Sequence, residues 1–305
     1  MKNILLIGGT GFVGSALARR LAGADFLLTL PCRRPERVRH LAVLPTARLV
    51  AADVHDEATL MSLMRGQDVV ISLVGMLKGN FQRGHAELPG KIGRAAATVG
   101  VSRLLHISSL GAATDAPSDY LRTKAAGEAA LRAAYPAATI FQPSVIFGRG
   151  DSFLTLFAGL LKLAPVVPLA CADARFQPIW IDDVVAAVVA SLAHPDSAGQ
   201  TYPLCGPRTY SLRELVAYAG KVSGHPRPII GLPLPLAYLQ AFVMELLPNG
   251  PMTRDNVRSM QVPNVCATPF PFGIEPAALE ALAPEWLAPV RPRERFPALR
   301  THARR

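Results

Sequence analysis

The stretch NILLIGGTGFVGSALARRL, residues 3–21, decides the fold class of this 305-residue chain. It opens with an apolar run that is typical of a buried strand, and a helical pattern begins directly after a glycine-rich turn. In such a turn, glycines allow a tight bend, close approach of the backbone to a pyrophosphate, and packing of the helix on the strand. The spacing occurs at Gly9, Gly11 and Gly14, and in a three-residue version at Gly8, Gly11 and Gly14. The stretch therefore predicts a site for a dinucleotide, whose anion faces the helix N-terminus.

Short β-rich runs alternate with helical patterns along the first half of the chain. This order predicts an α/β fold, a Rossmann-type doubly wound parallel sheet. The predicted strands are 3–7, 26–30, 48–51, 69–73, 104–107 and 139–142, and two later runs, 178–181 and 201–204, are expected to close the sheet. The clearest helices are 13–22, 123–134, 210–222 and 236–247.

The pattern changes after the last predicted strand and indicates a small, mostly helical C-terminal lobe. We expect residues 1–205 to form the nucleotide-binding domain, with 150–175 contributing partly to a substrate cleft. Residues 206–290 then form the lobe that contacts substrate or partner, and 291–305 form a basic tail.

The end of the second strand favours NADP(H) over NAD(H). An acidic residue there would bind a ribose 2′-hydroxyl, whereas arginine suits a 2′-phosphate. The chain has Arg33 and Arg34 and no acid at this point, although both could also be solvated loop residues. Asp53, after the third strand, could accept a hydrogen bond from an adenine amino group or simply stabilise a turn.

A tyrosine and a lysine four residues apart follow the fifth strand. Tyr120 and Lys124 would share a helix face, and Ser108 and Ser109 end the strand before them. A nearby ammonium lowers a tyrosine pKa from about 10 towards neutrality, which makes the phenol a usable proton donor or acceptor. Either serine could polarise a substrate carbonyl, and we prefer Ser109.

Composition limits the other classes of protein. Half of the residues are apolar, so the chain is expected to fold, and 32 basic against 22 acidic residues give a net charge of +10. No aromatic-interleaved basic motif points to nucleic acid, and no His or Cys spacing points to a metal. The four widely spaced cysteines predict no disulfide framework and a reducing compartment. No apolar stretch predicts a transmembrane helix.

With these motifs the sequence resembles the extended and atypical short-chain dehydrogenase/reductase superfamily. It looks most like the branch that contains the nucleotide-binding accessory subunit of respiratory complex I and its bacterial relatives. The matching stretches cover nearly the whole chain up to the basic tail. They are 8–14, 73–77, 106–112, 120–128, 143–148, 175–184 and 247–257.

The resemblance implies an NADP(H) site and a role for each matching position. The pyrophosphate would contact Gly8, Thr10, Gly11, Phe12, Val13 and Gly14; the 2′-phosphate Arg33 and Arg34; and the adenine Asp53 and Val54. Val74 and Gly75 would pass the adenosine ribose, Lys124 would bind the nicotinamide ribose, and Pro143, Ser144 and Val145 would flank the nicotinamide. Lys91 stands where many extended members have an asparagine that supports the proton relay.

Three functions follow as hypotheses. The first is an oxidoreductase that moves hydride between NADPH and a carbonyl or alcohol, with Tyr120, Lys124 and a serine as catalytic residues. The second is a non-catalytic NADPH-binding accessory or assembly subunit of a membrane respiratory complex, and the third an NAD-dependent epimerase or dehydratase. We expect an apolar or quinone-related substrate and no nucleic acid.

The place of the protein in the cell follows from two features of the C-terminal half. The helix 236–247 could cap the substrate cleft or bind a membrane or partner, and the basic tail could bind anionic lipid. The expected location is the cytoplasm or the inner face of the membrane.

Overall fold

The chain forms a seven-stranded parallel sheet in the computed structural model, which describes residues 2–23, 25–247 and 250–289. The predicted basic tail, 291–305, lies outside the described residues. The strands are β1 (Lys2–Ile7), β2 (Phe26–Cys32), β3 (Ala47–Ala51), β4 (Val69–Ser72), β5 (Arg103–Ile107), β6 (Thr139–Pro143), β7 (Ile146–Phe147), β8 (Val167–Ala170), β9 (Arg175–Phe176), β10 (Ile179–Trp180), β11 (Thr201–Leu204), β12 (Tyr210–Ser211) and β13 (Ile229–Leu232).

The order of strands across the main sheet is β3-β2-β1-β4-β5-β6-β11. The order reverses at β1, which creates the crevice at the carboxyl ends of β1 and β4 where doubly wound sheets bind ligands. The prediction that 201–204 closes the sheet is confirmed, because this run pairs with β6 in parallel. The prediction for 178–181 is wrong: only two residues pair, with β7, since Pro178 lacks an amide donor and a helix begins at Ile181.

Helices cover both faces of the sheet. They are α1 (Phe12–Leu21), α2 (Glu57–Met64), α3 (Leu88–Val99), α4 (Asp119–Ala134), α5 (Leu154–Leu163), α6 (Ile181–Ser191), α7 (Leu212–Val222), α8 (Leu234–Glu245), α9 (Arg254–Ser259), α10 (Leu279–Leu282) and α11 (Pro284–Leu287). Helices α1 and α6 pack on one face through side chains such as Leu17 and Val184. Helices α2, α3 and α4 pack on the other through Leu60, Ile92 and Leu131.

The C-terminal half builds a separate apolar cluster. Leu212, Leu215 and Val216 of α7 pack against Leu154 and against α10 and α11. Helix α8 packs on this lobe through two small residues, Ala237 and Ala241. Among the described helices, none is both long and apolar enough to cross a bilayer.

A disulfide joins Cys205 and Cys266, which corrects the expectation of unpaired cysteines. Cys205 directly follows edge strand β11. The main chain of Asn264 pairs with Arg175 and Gln177, and this pairing brings Cys266 to the same edge. The two residues are 61 positions apart, so only the tertiary fold reveals the pairing.

Candidate nucleotide and catalytic site

The predicted site residues lie at one edge of the molecule. Parallel strands end on the same side of a sheet, so the segments that follow β1, β2, β3, β4, β5 and β6 meet there. In chain order these segments carry Gly8, Arg33, Asp53, Val74, Ser108 and Ser144.

The glycine turn after β1 is tight and packs closely on its neighbours. Gly8 has a φ of +83°, and a Cβ there would lie 3.0 Å from the carbonyl carbon of Leu73. A Cβ at Gly14 would lie 2.6 Å from the Cα of Gly9, so helix and turn pack backbone to backbone. Gly11 caps α1 without a side chain, and the first turn of α1 carries no acid. These features fit an anion at the helix N-terminus. The turn also contains Thr10, Phe12 and Val13.

The corner beyond β2 and β3 is basic. Arg33 and Arg34 are exposed, and the charges of Arg33, Arg83 and Lys91 add to desolvation, the largest cause, in lowering the pKa of His55. Together with Arg34, they place four basic side chains at this corner. Sequence reasoning missed Arg83, because it comes from an irregular turn 50 positions after Arg33.

Asp53 and Lys91 have local partners at the same corner. Asp53 accepts a hydrogen bond from the His55 amide at 3.0 Å and lies 3.8 Å from the Arg83 guanidinium. Val54 packs partly on the core. Lys91 Nζ donates to the His55 carbonyl at 3.0 Å, so its side chain faces this corner. Lys91, which stands where many extended members have the relay asparagine, thus binds this corner through its ammonium.

Lys124 is buried with an ammonium that has few partners. Its Nζ is 3.4 Å from the carbonyl oxygens of Val74 and Ile107, and 3 % of the residue is exposed. Burial lowers its pKa to about 8, although Glu128 acts in the opposite direction. Gly75 keeps the space beside it open, since a Cβ there would lie 3.7 Å from Nζ. The ammonium can therefore donate further hydrogen bonds to oxygens such as those of ribose hydroxyls.

Ser109 acts on the Tyr120 phenol, whereas the Ser108 hydroxyl has no hydrogen-bond partner among the described residues. Desolvation of the Tyr120 phenol raises its pKa, and the Ser109 hydroxyl acts in the opposite direction. The Ser108 hydroxyl is buried without a hydrogen-bond partner. The expectation that Lys124 lowers the pKa of Tyr120 is wrong, because burial dominates and the Lys124 ammonium contacts carbonyl oxygens.

His85 is another site residue that sequence reasoning missed. It lies in a π-helical turn, Gln82–Glu87, and such turns are frequent at functional sites. Its ring packs edge-on against Tyr120 at 5.3 Å and stacks on Phe81 at 5.2 Å. Its Nε2 accepts the Met76 amide proton at 3.0 Å, and burial lowers its pKa to about 3. A neutral imidazole therefore packs against the Tyr120 ring. The one sequence signal for His85 is its position shortly before Pro89, in the first turn of α3.

The loop after β6, called the 143–145 wall here, lies next to the segment after β5, because the Leu110 amide donates to the Pro143 carbonyl. Pro143 ends β6, and Asn264 binds the next two residues: its Oδ1 accepts the Ser144 hydroxyl at 2.5 Å and the Val145 amide at 3.1 Å. Asn264 comes from the C-terminal lobe, so no local pattern connects it with this wall.

A cavity of about 360 Å³ lies beside Tyr120, between the loop after β4 and the C-terminal lobe. The Phe81 ring in its wall contacts the Tyr120 ring at a centroid distance of 5.9 Å. Its lining combines apolar and charged side chains: Leu77, Lys78, Gly79, Phe81, Glu245, Leu247, Thr253 and Asp255. Within the part of the chain that the structure describes, no group of three His, Cys, Asp or Glu side chains could hold a metal ion.

The fold and the glycine turn define a Rossmann-fold protein that binds NAD(P)(H). Residues 8–148 match the family model described as NAD(P)H-binding. The dTDP-glucose 4,6-dehydratase of Streptomyces venezuelae, solved with NAD bound, superposes with a TM-score of 0.65 over 75 % of this chain and 84 % of that one, at 20 % identity. This likeness shows a shared fold.

Two relatives are closer in sequence. Subunit 9 of the NADH dehydrogenase (ubiquinone) 1 alpha subcomplex, mitochondrial, of Mus musculus is 30 % identical, over 90 % of this chain and 77 % of that protein. The ceramide reductase of Caulobacter vibrioides is 31 % identical, over 76 % of this chain and 74 % of that protein. The chain belongs to the family of NAD(P)H-binding proteins that contains the complex I subunit, and reductases are among its relatives.

Proposed function

We propose that the protein is an NADP(H)-dependent oxidoreductase of the short-chain dehydrogenase/reductase type that interconverts a carbonyl compound and an alcohol. One observation supports the proposal: the buried Lys124 ammonium lies at the carboxyl ends of β4 and β5, and Tyr120, on the same helix, is close enough to Ser109 for its hydroxyl to act on the phenol. An NAD-dependent epimerase or dehydratase has only the shared fold in its favour.

Each residue of the site has a proposed task. Tyr120 donates a proton to the substrate oxygen, Ser109 orients that oxygen by a hydrogen bond, and Lys124 holds ribose hydroxyls. NADPH, when bound, supplies the hydride. The residues proposed to hold it are Gly8, Thr10, Gly11, Phe12, Val13, Gly14, Arg33, Arg34, Asp53, Val54, Val74, Gly75, Lys124, Pro143, Ser144 and Val145.

NADP(H) is proposed over NAD(H) because of the charge at the corner beyond β2. Arg33 and Arg34 are exposed there, and Arg83 and Lys91 lie close enough to act on the same histidine as Arg33. A dianionic 2′-phosphate gains charge-assisted hydrogen bonds from such a cluster, whereas a 2′-hydroxyl gains little.

An apolar or quinone-related substrate is proposed because of the cavity beside Tyr120. Leu77, Phe81 and Leu247 give it apolar walls, while Lys78 and Asp255 supply polar groups. A carbonyl compound with a large apolar part would bury that part there, in keeping with the ordinary composition of small-molecule sites.

Substitution of the tyrosine tests the proposal. Purified protein is incubated with NADPH and a panel of aldehydes, ketones and quinones, and loss of NADPH absorbance is followed. Tyr120→Phe should lower turnover at least 100-fold and leave the NADPH dissociation constant within two-fold. Tyr135→Phe is the matched control, because this partly buried tyrosine, just beyond the other end of α4, donates to the Val101 carbonyl instead. Full turnover in Tyr120→Phe contradicts the assignment.

Peripheral attachment to an anionic membrane is proposed from the surface of α8. This surface exposes seven large apolar side chains on α8 and the turn after it, Leu234, Leu236, Leu239, Phe242, Val243, Leu246 and Leu247. Such a continuous apolar patch marks an interaction site. Basic side chains flank it: Arg254 lies over the Phe242 ring at 5.2 Å, and Lys78 donates to the Gly250 carbonyl. An apolar face with a basic border suits anionic lipid, and we propose the cytoplasmic face of the membrane.

Vesicle sedimentation tests the attachment. The double variant Leu239→Glu, Val243→Glu should lose binding to phosphatidylglycerol-containing vesicles, whereas Val43→Glu, at an exposed site outside α8, should keep it. Deletion of 289–305 should weaken binding in low salt. Unchanged partition of all variants contradicts membrane attachment.

A non-catalytic accessory or assembly subunit of a respiratory complex is the second candidate. It is favoured by the apolar surface of α8, which a partner subunit could cover, and by the relative of that description. In this role the nucleotide would stabilise the fold by mass action without being consumed.

A further inference from the structure

One segment of the C-terminal lobe contacts both the start of the tyrosine helix α4 and the 143–145 wall. Residues 253–266, called the strap here, contain helix α9, Asn264 and Cys266. At one end the strap contacts the start of α4, which carries Tyr120, and at the other it contacts Ser144 and Val145. The two contacts involve different atoms and different elements.

Asp255 binds the start of the tyrosine helix. Its two carboxylate oxygens accept hydrogen bonds from the amides of Asp119, at 2.7 Å, and Tyr120, at 3.0 Å. These amides belong to the first turn of α4, where a helix has no internal acceptors of its own. The Ser118 side chain accepts from the next amide, that of Leu121, at 3.2 Å. The backbone of Tyr120 is therefore held by a side chain 135 positions away.

Asn264 binds the wall proposed to flank the nicotinamide. Its Oδ1 accepts from the Ser144 hydroxyl and the Val145 amide, while its main chain pairs with Arg175 and Gln177. Two residues further on, the Cys205–Cys266 disulfide joins the strap to the end of β11. The side-chain amide of Gln177 accepts from the Cys266 amide and donates to the Gly206 carbonyl. The strap is thus fixed at the sheet edge before Asn264 reaches the wall.

We propose that the strap positions the site: Asp255 positions Tyr120, and Asn264 positions the 143–145 wall. The proposal rests on the proposed function for the tasks of those two parts. Because the contacts are separate, their losses have different consequences. Loss of the Asp255 contact impairs the proton donor, and loss of the Asn264 contact impairs nucleotide binding.

Two variants and one control separate positioning from a general structural role. Asp255→Asn should lower kcat about 10- to 100-fold, the scale expected for a misplaced catalytic group, and leave the NADPH dissociation constant within two-fold. Asn264→Leu should raise that constant about 10-fold, and Asn264→Asp, which keeps an acceptor oxygen, should restore it. Glu214→Gln is the matched control, since this carboxylate binds the Ser211 amide at the start of α7 in the same lobe. It should change neither value.

The result that overturns the proposal is a parallel response. If Asp255→Asn and Asn264→Leu both change kcat and NADPH affinity in proportion to their loss of thermal stability, the strap only stabilises the contact between the lobes. Unchanged values in both variants overturn it as well.

A protein without turnover on any carbonyl compound refutes the proposed function, yet the strap is still tested by two spectroscopic measurements. NADPH fluorescence titration tests the role of Asn264. To test the role of Asp255, 3-fluorotyrosine is placed at position 120, and its ¹⁹F resonance should shift or broaden in Asp255→Asn but not in Glu214→Gln. An unchanged resonance overturns the role of Asp255.

Discussion

Replacement of the buried lysine should stabilise the free protein at neutral pH. Burial lowers the pKa of Lys124 from 10.5 to about 8, and its ammonium has two carbonyl oxygens at 3.4 Å as partners. Below pH 8 the full cost of burying the charge is present. Between pH 8 and 10.5 the unfolded chain binds a proton that the folded chain has released, so stability rises with pH in this window. At pH 7 the cost is about 3 kcal/mol.

Lys124→Met keeps an unbranched side chain, one atom shorter, and removes the charge. The free energy of unfolding is measured by urea denaturation between pH 7 and 10, without nucleotide. As pH rises from 7 to 10, the free energy of unfolding of the wild type should increase by about 2 to 3 kcal/mol relative to that of Lys124→Met. At pH 7 the variant should be the more stable protein. Lys162→Met, which replaces an exposed lysine, is the control and should follow the wild type. If the free energies of unfolding of the wild type and Lys124→Met change in parallel with pH, the lowered pKa of Lys124 is refuted.

Three further outcomes follow from the site. Replacing both Arg33 and Arg34 by alanine should weaken NADPH binding about 10- to 100-fold, as expected for lost charge-assisted hydrogen bonds, with NADH binding nearly unchanged in fluorescence titrations. Gly14→Ala should prevent folding or NADPH binding, since its Cβ would lie 2.6 Å from Gly9 Cα, whereas Gly159→Ala meets open space and should keep both in circular dichroism and titration. Burial lowers the pKa values of His85 and of His106 in β5 from 6.5 to about 3, so the unfolded chain binds more protons between these values. Stability should therefore fall as pH decreases through this window, and a flat urea midpoint from pH 6.5 to 4 would contradict it.

The sheet was predictable because its signals are local. Each buried strand is a short apolar run, and the glycine turn after β1 has a spacing that few other structures require. Parallel order then brings the strand ends together, so the positions of Arg33, Tyr120 and Lys124 near one edge could be expected. The prediction that 178–181 joins the main sheet was wrong, because only two of its residues pair, and they pair with β7.

The missing parts of the site depend on contacts that have no local pattern. His85 lies in an irregular turn, and its contact with Tyr120 results from the packing of that turn against α4. Asp255 and Asn264 reach the site from the other lobe, across more than 100 positions of sequence. The sign of the Tyr120 pKa shift was also beyond the sequence, because it depends on burial rather than on the lysine four residues away.

The rate at which bound NADPH leaves the protein tests most directly whether the site is catalytic. Labelled NADPH is bound to the purified protein and chased with an excess of unlabelled nucleotide. We predict exchange on the timescale of turnover, on the order of once per second or faster, because an oxidoreductase must release its oxidised cofactor. Retention of the label for hours would contradict the proposed oxidoreductase and indicate a structural nucleotide in an accessory subunit.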